Sequence, residues 1–146
     1  MPHFTIRKML LGDIDQLAVL YRDYWNEDSD TQKMKQKYAE LEADSRYIFL
    51  SAVRDDRLVG SIMGIVCDEL YGRCESFLVM EDLIVEKNHR NNGIGRSLLD
   101  ALETIAKERG CCQIQFITET AREDTISFYK SLGYDPSSHV GFKRKL

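Results

Sequence analysis

Three places in this chain hold residue types that do chemistry. The first is Asn91-Asn92-Gly93-Ile94-Gly95, set between an apolar run ending at Val85 and a stretch with helical spacing. The first turn of a helix leaves backbone N–H groups unpaired, and its macrodipole adds partial positive charge. Glycines there let an anion reach the main chain with no Cβ in the way. Arg90 supplies a cation and Ser97 a hydroxyl, so the segment reads as an anion site of the kind diphosphates use. A dinucleotide-binding loop would need a third glycine where Leu98 stands, and a P-loop would need Gly-Lys-Ser/Thr. The glycine spacing taken alone also fits a plain turn that packs a helix on a sheet.

The second place is Phe77-Leu78-Val79-Met80-Glu81-Asp82-Leu83-Ile84-Val85, an apolar run that contains two acids. Successive strand residues point to opposite faces, so a strand covered on both sides would bury one of them. An unpaired buried carboxylate is expensive. Either one acid lines a wet cleft or a bulge breaks the alternation. The third place is Phe128-Tyr129. Tyr129 shares a helical face with Arg122 and Thr125, while Phe128 and Leu132 form an i, i+4 apolar pair. That spacing turns Phe128 to the core and Tyr129 to a cleft.

The elements that position these residues follow from periodicity. His3–Arg7 reads as a short strand. Asp13 and Gln16 form the pattern of a capping box opening a helix, with Ile14, Leu17, Ala18 and Tyr21 on one face, that fades near Trp25-Asn26. Ser29 or Asp30 caps a second, polar helix to about Ala43, striped by Met34, Tyr38 and Leu41. Tyr47–Arg54 and Leu58–Cys67 read as strands joined by a turn at Asp55-Asp56-Arg57, and Gly60 and Gly64 mark a bulge or a close backbone approach. A long strand spans Glu75–Val85. A helix spans Gly93–Arg109 and ends at Gly110. Cys111–Thr118 reads as a buried strand, Thr120-Ala121-Arg122-Glu123 as a capping box for a helix to Leu132, and Val140–Lys145 as a last strand. Short connections make the three middle strands antiparallel, and the helical crossover after Val85 makes its two strands parallel. The fold class is α/β (α+β): a single mixed, mostly antiparallel sheet with helices on both faces, in one domain spanning 1–146.

With these residues in place, the chain resembles the GNAT superfamily of acyl-CoA-dependent N-acyltransferases. That family's mark, Arg/Gln-x-x-Gly-x-Gly/Ala between a strand and a helix, reads here Arg90-Asn91-Asn92-Gly93-Ile94-Gly95 after Leu83-Ile84-Val85. A second mark reads Ser127-Phe128-Tyr129-Lys130-Ser131-Leu132-Gly133-Tyr134. The resemblance implies a bulge in the Phe77–Val85 strand that splays it from the next. The pantetheine arm of acetyl-CoA then pairs with backbone groups of Leu83, Ile84 and Val85, as a peptide adds to a sheet edge. N–H groups near Ile84 or Val85 serve as oxyanion donors. Arg90, Asn91, Asn92, Gly93, Ile94, Gly95, Arg96 and Ser97 hold the pyrophosphate. Glu81, with Asp82 second, acts as general base for an ammonium substrate, its pKa raised by burial. Tyr129 protonates the leaving thiolate. Arg122 stands where the family often has asparagine and Thr125 where it often has alanine; an arginine there is suited to cofactor phosphate.

The expected acceptor is an amine such as a polyamine, an aminoglycoside or a protein N-terminus. Its candidate contacts are Tyr24, Trp25 and Glu81, with Tyr21, Asp28, Asp68 and Glu69 nearby in the reading; aromatics and acids together suit a cation. An alternative function is an acyl-CoA-binding regulatory module without turnover. The charge of −4, from 20 basic and 24 acidic residues, lacks the excess of a nucleic-acid binder. No apolar run approaches the roughly 20 residues of a membrane span. The N-terminus lacks a secretory pattern, which points to the cytoplasm. Cys67, Cys74, Cys111 and Cys112 form no metal-ligand spacing and are expected to be free, mostly buried thiols. His89 and His139 read as surface residues without partners. The family resemblance suggests a homodimer.

Overall fold

The run Tyr47-Ile48-Phe49-Leu50-Ser51-Ala52-Val53 has the aromatic and β-branched content of a strand, and it forms β2 (Tyr47–Arg54) in the computed structural model, which describes residues 3–146. Asp55 and Asp56 reverse the chain with φ of 50° and 59°. Two left-handed residues make a two-residue hairpin whose twist matches its strands. Arg57, expected in the turn, therefore begins β3 (Arg57–Cys67). β1 (Thr5–Lys8) pairs antiparallel with β2, and β4 (Phe77–Val85) pairs antiparallel with β3. β5 (Ile114–Gln115) is parallel to β4, which completes a five-stranded sheet in the order β1-β2-β3-β4-β5. The chain divides into two compact units, the first ending at Gln115 and the second spanning Phe116–Leu146.

Helices cover both faces of the sheet in the first unit. α1 (Ile14–Trp25) buries Ile14, Leu17 and Leu20, and ends where Asn26 adopts φ of 55°. α2 (Thr31–Glu42) is capped by Asp30, which accepts from the Lys33 N–H at 3.1 Å, and it buries Tyr38. Phe49 and Met63 line a groove with residues of these two helices. The next residue, Gly64, faces the other way, toward α3 (Ile94–Glu108). A Cβ on Gly64 would lie 2.6 Å from Leu102, and one on Gly60 would lie 3.0 Å from the Ile84 carbonyl oxygen. These two glycines let α3 settle close on the sheet. Its face of Ile94, Leu98, Leu99 and Leu102 is almost wholly buried. Each such side chain stabilises the fold by roughly 1.5–3 kcal/mol.

The expected capping box at Asp13 and Gln16 does not form. Asp13 is buried and accepts four bonds: two from Arg7 at 2.7 and 2.9 Å, one from the Leu10 N–H at 2.9 Å and one from the Ser51 hydroxyl at 2.9 Å. It closes a short 3₁₀ turn (Leu11–Asp13) and ties β1, the entry to α1 and β2 together. Gln16 instead accepts from the Leu58 N–H at 2.8 Å and pins α1 to β3.

Three further expectations are corrected. The Cys111–Thr118 strand shortens to the two residues of β5, because its residues are half-buried or exposed and not core-facing. In the second unit, α4 (Glu123–Ser131) begins after Arg122 with no side-chain cap, so the Thr120–Glu123 box is absent. The segment from Val140 to Lys145 forms no strand; it is exposed, and its last three residues are all basic, which favours a solvated chain. All four cysteines are free, but Cys74 and Cys112 are exposed and Cys67 and Cys111 only half-buried.

Asp13 generates a stability prediction. Burial pushes its carboxyl up, but Arg7, the Leu10 N–H and Ser51 outweigh burial and leave its pKa below the ordinary 3.8. A lowered folded pKa means a contribution that is complete above pH 3.8 and lost as pH falls through the folded value. Asp13→Ala should cost about 2–3 kcal/mol at pH 7. The gap in melting temperature between parent and variant, followed by circular dichroism, should narrow on acidification below pH 3.8.

Candidate functional site

The centre of the site is an irregularity in β4. Ser61 pairs with Ile84 and Met63 with Glu81, so two steps along β3 match three along β4. The extra residue bulges, and Asp82 takes up the strain at φ of 55°. Paired residues of an antiparallel ladder share a face. Glu81 therefore lies on the Met63 face, where Ile84 also belongs, while Leu78 and Met80 before the bulge serve the α3 face. Of the two alternatives that the sequence left open, the bulge is present, and a cleft accompanies it.

That cleft is a recess of about 290 Å³ lined by Tyr21, Trp25, Glu27, Asp28, Ser29 and Asp82. Asp82 is half-buried, and burial raises its carboxyl above the ordinary range. Burial, then the Asp82 charge, push the Tyr21 phenol upward too, so Tyr21 stays a neutral hydroxyl. Glu81, the first-ranked acid of the sequence reading, is exposed. The recess gathers Tyr21, Trp25, Asp28 and Asp82 as an acidic, aromatic pocket. Asp68 and Glu69 do not line it, and Glu69 caps the N–H groups of Leu70 and Tyr71. Glu27 and Ser29 were missed; the signal available was their place in the polar turn after Trp25.

Beyond Val79 the other edge of β4 has no strand beside it among the described residues, since the β4–β5 ladder consists of Leu78↔Ile114 and Val79↔Gln115. The Glu86 N–H donates to Val59 on β3 at 2.8 Å. Backbone groups alternate in direction along a strand. Those of Ile84 consequently point to β3, and those of Leu83 and Val85 to the open edge. The Val85 carbonyl accepts from Arg90 Nε at 3.1 Å. The guanidinium of Arg90 also lies 5.3 Å from the ring centre of Tyr24, so α1 and the loop are joined by a cation–π contact.

Asn91 and Gly93 have φ of 62° and 81° and fold the chain sharply into α3. The first helical bond runs from the Ser97 N–H to the Gly93 carbonyl at 3.0 Å. The N–H groups of Ile94, Gly95 and Arg96 thus precede the helical ladder and have no acceptor within it. Ile94 is buried and anchors the turn, whereas Arg90, Asn91, Asn92, Gly93 and Arg96 are exposed and Gly95 and Ser97 half-exposed. Asn92 donates to the His89 carbonyl at 3.3 Å. His89 is half-buried with its Nδ1 against the Glu86 carboxylate, which also holds Arg57 at 3.3 Å, so the expectation of an unpartnered surface histidine is corrected.

Arg122 and Tyr129 belong to the second unit. Arg122 pairs with Glu119 at 3.2 Å. Tyr129 is buried, with ring centroids 4.4 Å from Phe116 and 6.1 Å from Tyr134, while Phe128 is half-buried. The expected division, Phe128 inward and Tyr129 outward, is reversed in degree of burial. Among the described residues no cluster of histidine, cysteine, aspartate or glutamate could hold a metal ion, and no helix is long and apolar enough to cross a membrane.

The profile of the acetyltransferase (GNAT) family matches residues 14–134. The chain belongs to this family. It is 25% identical to an aminoglycoside N(6')-acetyltransferase type 1 of Salmonella typhimurium strain LT2, over 96% of this chain and 97% of that protein. The crystal structure of a transcriptional regulator from Bacillus halodurans C-125 matches it with a TM-score of 0.90 at 26% identity, covering 99% of this chain and 100% of that one. An aminoglycoside acetyltransferase from an uncultured soil metagenomic sample, solved with trehalose, shares the fold with a TM-score of 0.81 at 19% identity, covering 98% and 96%. The matched region contains the β4 bulge, the Arg90–Gly95 turn and the Phe128-Tyr129 pair.

The half-buried acid Asp82 of this GNAT chain yields a check on the site. The pKa of Asp82 is raised, so its share of stability is complete below pH 3.8 and lost as pH rises through the folded value. Asp82→Asn should therefore melt higher than the parent at pH 7. Part of that gain should disappear on acidification, as thermal melts from pH 3 to pH 8 would show.

Proposed function

We propose that this chain is an acetyl-CoA-dependent N-acetyltransferase acting on an amine by direct attack in a ternary complex. The observation that carries the reading is the β4 bulge. In one short strand it provides a half-buried acid at Asp82 and, a few residues on, an open backbone edge that leads into the Arg90–Gly95 turn. The open edge at Leu83 and Val85 suits the pantetheine arm, with Ile84 in the same stretch supplying the side chain that fixes the strand. The turn suits the pyrophosphate: N–H groups of Ile94, Gly95 and Arg96, a hydroxyl from Ser97, and positive charge from Arg90 and Arg96. Asn91, Asn92 and Gly93 shape that turn. Arg122 is a further candidate for a phosphate contact.

In this reading an ammonium substrate loses its proton to Asp82, directly or through water, and Glu81 adds negative charge that draws the cation in. Sequence reasoning placed Glu81 first; the burial of Asp82 and its place in the recess favour reversing that order. The amine nitrogen then attacks the acetyl carbonyl. The N–C bond forms as the C–S bond breaks, and the N–H of Val85 or Leu83 faces the developing oxyanion. The thiolate takes a proton from a hydroxyl acid, a role assigned to Tyr129 by its place in the family motif, and the second proton of the acylated nitrogen passes through water to restore that hydroxyl. Tyr24 and Trp25 contribute to acceptor binding, Tyr24 by holding Arg90 and Trp25 by walling the recess. The family match runs across both compact units, which supports treating 1–146 as one working domain. A cytoplasmic setting and a homodimer belong to the same reading.

A second reading has one observation in its favour: the Bacillus halodurans chain that matches so well in fold is described as a transcriptional regulator. In that case acyl-CoA would bind without turnover. Thermal melting with 1 mM acetyl-CoA should show a clear upward shift under either reading, because a ligand that binds the native state stabilises it. Release of free thiol in the presence of amines separates them. Tyr129→Phe should keep the thermal shift and lose turnover by about 10²–10⁴-fold, the range of a general acid. A variant as fast as the parent would remove Tyr129 from the mechanism.

A further inference from the structure

The acidic recess has an apolar neighbour. A groove of about 580 Å³ runs between α1, α2 and the sheet, walled by Leu17, Met34, Leu41, Phe49 and Met63. Tyr21 borders both the groove and the recess. One side of this tyrosine is therefore a pocket with three carboxylates, Glu27, Asp28 and Asp82. The other side is a trough whose charged groups, Asp30, Lys33, Lys37 and Glu40, all belong to α2 or its cap. Lys37 is tied to Glu40 at 2.6 Å, and the sheet residues of the floor, Phe49 and Met63, carry no charge.

These two surfaces select for different ends of one molecule. A primary ammonium is attracted by the carboxylates and by the face of Trp25. An alkyl or aryl body gains by leaving water for the groove. A polyhydroxylated amino sugar would have to strip its hydroxyls of water against methionine, leucine and phenylalanine on the sheet and α1 side, where apart from Tyr21 the polar lining is confined to α2 and its cap. Half-buried methionines such as Met34 and Met63 suit this trough, because their unbranched thioethers adapt to differently shaped apolar guests.

From this arrangement we infer that the acceptor is an amphiphilic primary amine, its nitrogen in the Asp82 recess and its apolar body laid across Tyr21 into the groove under α2. The inference rests on the acetyltransferase reading and narrows it away from aminoglycosides. Tyr21 then acts as a neutral ring that turns the chain of the substrate from the acid pocket into the trough.

The test uses the full chain with acetyl-CoA and a series of straight-chain primary amines from propylamine to octylamine, beside glucosamine and spermidine. The second-order rate constant kcat/KM should rise about fourfold per methylene until the groove is filled. Octylamine should exceed glucosamine and spermidine by at least a hundredfold. Met34→Gln, a change at a half-exposed helix position, should lower the ratio of octylamine to propylamine about tenfold. A flat series, a preference for glucosamine or spermidine, or an unchanged ratio in Met34→Gln would overturn the inference while a thermal shift with acetyl-CoA left the broader reading standing. The absence of that shift would instead remove the reading on which it rests.

Discussion

One extra residue in β4 organises this molecule. A regular strand would carry a single alternation from Phe77 to Val85, and one of its two acids would be driven into a face built of leucine and methionine. The bulge at Asp82 resolves the conflict locally. Before it, Leu78 and Met80 pack toward α3; after it, Ile84 joins the core under α1 that includes Leu17 and Leu58. The strand thus serves both layers in turn. Departing from β5 past Val79, it also has backbone groups left over on one edge. The cost is a non-glycine residue held in a left-handed conformation and a carboxylate partly stripped of water, both at the same position. Strain and desolvation that coincide in a recess are what a functional site looks like.

The supporting contacts explain how a short turn holds its shape. Gly93 permits the sharp entry to α3, and buried Ile94 fixes that helix against Gly60. Arg90 reaches back to the Val85 carbonyl and over the ring of Tyr24, while Tyr24 meets Trp25 edge-on at 4.8 Å. The Arg90–Gly95 turn and the Asp82 recess are therefore linked through two aromatic rings.

The sequence made much of this legible, and its failures follow a pattern. The strands from Tyr47 to Val85 and the helices from Ile14 and Ile94 were readable because their apolar periodicity is long and their ends carry strong turn residues, Asp55-Asp56 and Gly93. The conflict at Glu81-Asp82 was readable as a conflict, but not its resolution, because which residue bulges depends on the register against β3. The caps were misjudged where a tertiary partner outcompeted the local one. Asp13 prefers Arg7 and Ser51 to a helix N–H, and Gln16 prefers Leu58. The strand expected at Cys111–Thr118 shortens to Ile114–Gln115 and the one at Val140–Lys145 does not form, because β propensity does not supply a neighbour to pair with. The recess residues Glu27 and Ser29 were invisible because nothing in a polar turn shows which way it faces.

The knot at Asp13 has a meaning beyond the helix it precedes. β1 has only four residues and is the outermost strand of the sheet, shielding β2. Arg7 of β1 is held to Ser51 of β2 through a carboxylate that binds both. β1 covers Leu50–Val53 of the run Tyr47-Ile48-Phe49-Leu50-Ser51-Ala52-Val53, seven residues with no charge, no proline and no glycine, the composition from which stacked intermolecular sheets are built. Loosen the knot and the shield comes away from a sticky edge. The same ion pair, beside the start of α1, therefore helps keep this apolar strand paired within its own sheet.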